Sequence, residues 1–306
     1  MSYEMKKMNA DKVSIGITPT SWWNDDFLDI DIGITFGQCV SEMALAGYQG
    51  CSVGHKFPSD VEVLKQELGM RDLRVSEPWT STFFTQNAMY DKTVADFRQS
   101  LEFIKAMGGK DIVVAELGGS VHQRPVALLP NRPIFSEKQW EAVANGLNYL
   151  GEIAKSEGLR LCYHHHMGSG VQTREQVDRL MAATDPNLVY LLLDTGHITF
   201  SGDDALSLAE GYASRIKHVH LKNIRRPIME QAIAQNLSFK EAIQAGIFTV
   251  PGDPEGCIDF GPIFNVLAEH DYEGWLMVEA EQDPAKATPL VYAKMARDYL
   301  RAATGI

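Results

Sequence analysis

The chain of 306 residues predicts an α/β fold, a closed TIM-type (β/α)8 barrel, and two observations carry that prediction. Eight short β-rich runs alternate strictly with eight longer segments whose apolar residues recur every three or four positions. The turn after the first run, GITPTSWW, lacks the phosphate-cradling glycines usual in a doubly wound open sheet. A single barrel domain over 1–306 is therefore expected.

Taken in order, Val13–Thr18 (VSIGIT) opens the barrel and leads to a helix over 34–46. Gly50–Val53 and a helix at 60–69 follow, then Arg74–Ser76 with its neighbours and a helix at 90–107. The run Asp111–Leu117 (DIVVAEL) is nearly all apolar, as a strand buried on both faces must be. Its helix, 137–157, starts at Ser136-Glu137-Lys138-Gln139, the spacing of a capping box. Next come Arg160–His164 with 174–184, Val189–Asp194 with 203–214, Ile216–His220 with 262–270, and Trp275–Glu279 with 285–303. Residues 223–257 are too long for a plain connection. They read as an inserted helix, Pro227 to Ala245, followed by the turn VPGDPEG, and as a lid on the barrel.

Composition narrows the function. A net charge of −12, with no basic cluster longer than Arg225-Arg226, gives nothing to neutralise a phosphate backbone, so nucleic acid is not an expected partner. The polar start MSYEMKKMNADK has no apolar signal core, and no stretch suits a membrane span, so a cytoplasmic location is expected. The four cysteines lack metal or redox spacing and read as reduced thiols.

Barrel active sites lie at the C-terminal ends of the strands, so polar residues ending apolar strands are informative. The fifth strand ends in Tyr163-His164-His165-His166, and the alternation of side chains puts His164 and His166 on one face. The sixth ends in Asp194-Thr195-Gly196-His197, the seventh projects His218, His220 and Lys222 to one side, and the eighth does so with Glu279 and Glu281. Carboxylates and imidazoles converging from several strands make a mixed nitrogen–oxygen site for a divalent ion, with Asp194, His220 and Glu279 as its ligands. Trp79, after the third strand, and Trp23, after the first, are candidate stacking faces for a sugar ring, and Glu281 is a further substrate contact. His166, His197, Lys222 and Glu116 are the candidate acids and bases.

The segments YHHHMGSGVQTREQVDRLMAATDP, LLLDTGH, RIKHVHLKN, FTVPGDPEGCIDF and GWLMVEAEQDPAKATP together resemble the inosose dehydratases of inositol catabolism, within the wider xylose isomerase-like barrels. The resemblance implies loss of water from 2-keto-myo-inositol through an enediolate, with manganese or cobalt. Zinc, iron and magnesium are the other ions such a set can hold, and glutathione is a further requirement the resemblance implies. It carries the metal ligands onto Asp194, His220 and Glu279, with His164 standing where the wider family has a glutamate. Two departures fall near the expected pocket: Ser52 replaces an acidic residue, and Ala115-Glu116-Leu117 replaces Ser-Glu-Gln. An isomerase or epimerase of a polyol ketone is the alternative function, and a noncatalytic sugar-binding barrel the second alternative. Assembly into a homo-oligomer is compatible with either.

Overall fold

The aliphatic runs pair as parallel strands in a computed structural model that describes residues 7–306. In chain order they are β1 Val13–Ile17, β2 Gly50–Cys51, β3 Arg74–Val75, β4 Trp79–Thr82, β5 Asp111–Glu116, β6 Arg160–His164, β7 Val189–Asp194 and β8 Ile216–Leu221. Three more follow: β9 Asn223–Ile224, β10 Phe248–Thr249 and β11 Gly274–Val278. The main sheet runs β3-β2-β1-β11-β8-β7-β6-β5-β4. Its two ends, β3 and β4, are consecutive in the chain and are the halves of one broken strand, so the order closes on itself as the expected eight-stranded barrel.

The break falls at Ser76-Glu77-Pro78, where proline has no N–H to give to a ladder. Hydrogen bonding resumes on either side: Ser76 N–H donates to the Cys51 carbonyl at 3.0 Å, and Val113 N–H donates to the Pro78 carbonyl at 3.2 Å. The third strand thus runs on past Ser76, and Trp79, expected after it, lies within it.

Alternation along the strands separates two apolar regions. Val113, Cys162 and Leu192 form a small cluster of their own inside the barrel, while Ile112, Val114, Leu161, Leu191 and Leu193 face the helices and join the main core. The capping box at Ser136 and Gln139 forms as expected and starts the helix Glu137–Ser156. The last helix begins at Pro289 rather than 285.

The insertion after β8 differs from the single helix expected. It holds two, Arg226–Ala234 and Phe239–Gln244, beside an antiparallel pairing of β9 with β10. The reason is local: Asn236 takes a left-handed backbone (φ 55°), and Ser238 opens a new capping box with Glu241. The second helix carries Phe239 to the barrel mouth, and Lys240 pairs with Asp29 on the loop after β1.

Candidate active site and metal centre

Each residue of Asp194-Thr195-Gly196-His197 has a separate local task. Asp194 ends β7 and caps an unexpected short helix, Thr195–Phe200, one carboxylate oxygen accepting the His197 N–H at 2.7 Å. The Thr195 hydroxyl donates to the Lys222 carbonyl (2.7 Å) and accepts the Lys222 N–H (3.0 Å), locking β7 to β8. Gly196 leaves room for the Lys222 stem, since a Cβ there would lie 2.5 Å from Lys222 Cγ. His197 then stands in the first turn, on the cavity wall.

The fifth barrel strand behaves as its alternation requires. His164 and His166 border the cavity, while His165 turns outward and its Nε2 accepts the Asp194 N–H at 3.2 Å. Burial holds His165 down at about 3, which keeps it a neutral acceptor.

The second oxygen of Asp194, Oδ2, is buried and accepts no hydrogen bond. Around it stand His164 Nε2 at 3.5 Å, Lys222 Nζ at 3.7 Å, His220 Nδ1 at 3.8 Å and His197 Nε2 at 3.9 Å. These separations are too long for hydrogen bonds, but those of the imidazoles approach the spacing of donors sharing an ion at about 2.0–2.2 Å each. His164, Asp194, His197 and Glu279 form one such group. Burial alone would raise Asp194 and Glu279, yet the Lys222 ammonium with His164 for the first, and His220 with Lys222 for the second, outweigh it and hold both carboxyls below their ordinary range. A divalent ion therefore fits this donor set.

Three of the four expected ligands come together here. The fourth, His220, lies against the same group, its Nδ1 3.8 Å from Asp194 Oδ2 and 2.8 Å from Glu279 Oε2, while its Nε2 faces Glu77 at 3.4 Å. His197 also stands in this group, because the short helix swings its imidazole inward. Sequence reasoning missed Glu77, which enters the barrel at the strand break and is held at about 2: burial would raise it, but His218 and His220 prevail.

Lys222 is fully buried. Burial would depress it, but Asp194, Glu279 and Glu281 raise it, which favours its ammonium form. It donates to Glu281 Oε1 at 2.8 Å and lies 3.0 Å from His197 Nε2. Glu281 borders the cavity and is pushed up to about 7 by burial, with Lys222 opposing and Glu279 reinforcing. His166 and His197, their rings 4.0 Å apart, are held well below their usual range by burial and by neighbouring imidazoles.

These groups surround a cavity of about 350 Å³. Trp79 borders it, 42% exposed, its ring edge-on to His164 and His166. Ser52 and Leu117, two of the departures from the family pattern, border it as well. The rim adds Asp25 with His55, and Asp26 with His122 and Gln123. Phe239 is buried behind these histidines, its ring centroid 5.9 Å from that of His166 and 6.5 Å from that of His197.

Two expectations are corrected. Glu116 was a candidate acid or base, but Trp79 and Ser81, on the cavity, pair with Val113 and Ala115, whereas Glu116 pairs with Thr82 on the opposite face. There it accepts from Thr82 and Thr85 hydroxyls and from the N–H groups of Phe84, Thr85 and Gly118. Trp23 was a candidate sugar platform. It is fully buried behind the cavity wall, packed on His55 and Phe57, because the turn Pro19–Ser21 carries it back under the rim.

Residues 40–303 match the model of the xylose isomerase-like TIM barrel family. The inosose dehydratase of Clostridium botulinum (strain Alaska E43 / Type E3) is 50% identical over 294 residues, covering 96% of this chain and 98% of that one. Among solved structures, a probable 3-DHS dehydratase of Bacillus anthracis superposes with a TM-score of 0.71 at 17% identity, over 94% of this chain and 98% of that one. The IOLI protein with a binding zinc atom does so with a TM-score of 0.67 at 16% identity, over 95% and 98%. The structural likenesses bear on the fold, and the identity over nearly the full length decides the rest: the chain belongs to the inosose dehydratases, within the xylose isomerase-like TIM barrels.

Proposed function

We propose that this chain removes water from 2-keto-myo-inositol, or a close polyol ketone, through an enediolate, as a metal-dependent hydro-lyase. The buried Asp194 Oδ2, which accepts no hydrogen bond and lies beside histidines that border a cavity of about 350 Å³, carries the metal-dependent part of this reading, and membership of the family carries the substrate.

In this reading Asp194, His220, Glu279 and His164 would hold a divalent ion, manganese or cobalt. An ion held there would supply Lewis-acid polarisation of the substrate ketone, making the adjacent C–H more acidic. His166, neutral and on the cavity wall, accepts that proton. Glu281 holds its own proton up to about 7 and has an unpartnered Oε2, which suits donation to the departing hydroxyl. Lys222 keeps Glu281 in place and balances charge among the carboxylates. Trp79 offers a flat apolar face to the ring, and the 223–257 insertion acts as a lid by pressing Phe239 on the histidines.

Because Ser52 and Leu117 border the same cavity, an isomerisation of a related ketone starts from the same proton removal and differs only in where the proton returns. The test is incubation of manganese- or cobalt-loaded protein with 2-keto-myo-inositol, following the dione by ultraviolet absorbance and mass. A product lighter by one water is expected; a product of unchanged mass overturns dehydration.

A further inference from the structure

We propose that Asn24 and Asp26, on the loop after β1, recognise ring hydroxyls of the substrate remote from its reacting carbons and so decide which polyol ketone is accepted. The inference rests on the proposed function and names the part of the mouth that reads the ring.

Asn24 borders the cavity, yet only 1% of it is exposed. Its Oδ1 accepts the N–H groups of Asp26 and Phe27, both at 2.8 Å, which closes a tight turn and fixes the amide. Reversing the amide would set its NH2 against two N–H donors, so the orientation is decided. Nδ2 then stays buried with no acceptor among the described residues. A buried donor left unsatisfied costs about 1–3 kcal/mol, and a hydroxyl oxygen entering the cavity removes that cost.

The next two residues supply acceptors. Asp25 Oδ1 receives the His55 N–H at 2.9 Å and Asp26 Oδ1 receives Gln123 Nε2 at 2.7 Å, which leaves Oδ2 of each for a ligand. Asp26 is also placed from the far side. The Ser120 hydroxyl donates to the Gly168 carbonyl at 3.0 Å, so its oxygen accepts from His122 Nδ1 at 2.7 Å, and His122 Nε2 lies 3.6 Å from Asp26 Oδ1. The His122 ring stands 5.0 Å from that of His166. This polar edge thus adjoins the base without belonging to the donor set around Asp194.

An amide donor beside carboxylate acceptors matches hydroxyls, each of which donates and accepts at once. The same carboxylates repel a phosphate group, so the mouth selects an uncharged polyol ketone over a phosphorylated one.

The test compares kcat and KM for 2-keto-myo-inositol and its ring-deoxy analogues in the unaltered protein, Asn24→Asp and Asp26→Asn, with metal content measured alongside. Asn24→Asp keeps the acceptor that closes the turn and removes only the donor. It should raise KM about tenfold, as losing one hydrogen bond from a buried donor does, while kcat changes far less and metal is retained. For the analogue lacking the hydroxyl that Asn24 holds, the two proteins should share one KM. An unchanged KM in Asn24→Asp, or a penalty equal across every analogue, overturns the proposal and leaves dehydration standing. Should Asn24→Asp fail to fold, Asp26→Asn, at a half-buried rim position, decides by the same split. If the unaltered protein forms no product lighter by one water, the dehydration reading falls and this inference falls with it.

Discussion

At the scale of single residues, the centre depends on the Asp194 and Glu279 carboxylates, which Lys222 and the neighbouring imidazoles hold below their ordinary range. Glu279→Gln is expected to abolish metal binding and turnover together, measured by elemental analysis and dione formation; a fully metallated, active variant would exclude Glu279 as a ligand. Glu281 sets a pH dependence. Its carboxyl sits at about 7 against an ordinary 4.5, so the folded state holds this proton more tightly than the unfolded chain. Its contribution to stability is complete below about pH 4.5 and is lost as pH rises through about 7. Turnover is expected to decline over the same rise because the proton donor empties, and the Glu281→Gln variant should lose that limb of the kcat profile.

Which residues were legible follows from periodicity. His164 with His166, His218 with His220 and Lys222, and Glu279 with Glu281 all share the inward face that alternation assigns them. Glu77 was not legible, because Ser76-Glu77-Pro78 reads as the end of a strand; only pairing on both sides of the break shows that the strand continues. Glu116 misled for the converse reason. It ends an apolar strand as an active-site residue would, yet its parity, one off Val113 and Ala115, turns it to the helices.

At the scale of elements, Glu116 ties β5 to the loop after β4. Glu116→Ala would strand the Thr85 hydroxyl and three N–H groups, the Thr82 hydroxyl keeping the Ala115 carbonyl, each unsatisfied donor costing about 1–3 kcal/mol. A drop of at least about 2 kcal/mol in a denaturant titration is expected, with turnover per folded molecule retained. The insertion carries the other element-scale prediction. Phe239 is wholly buried against His122, His166 and His197, and removing such a ring costs about 3–5 kcal/mol. Phe239→Ala should raise KM and lower the unfolding temperature, while metal content stays unchanged. That the insertion is two helices was written in Ser238 and Glu241; the apolar spacing on either side of them masked the stop at Asn236.

For the whole molecule, the barrel gathers Asp194, Glu279 and Glu281 around one ammonium, so binding of a divalent ion and folding are linked. An ion at a hundredfold excess over its Kd stabilises the native state by about 2.7 kcal/mol per site. Loading metal-free protein should therefore raise its unfolding temperature by several degrees, and a chelator should reverse the shift; an unchanged temperature would speak against a native-state site. Eight alternating units made the closed barrel legible from the start. The pairing of His197 with the Asp194 group was beyond reach because it depends on a six-residue helix that no hydrophobic period announces.

Arg160 begins β6, with 19% of its side chain in solvent, and reaches through Asp111 and His218 to Glu77. The lower rim of such a barrel is where protein engineers usually look for freely exchangeable positions, on the premise that chemistry happens at the other end. Here that freedom stops at Arg160: a swap made there for solubility or expression would be inherited by the catalytic mouth.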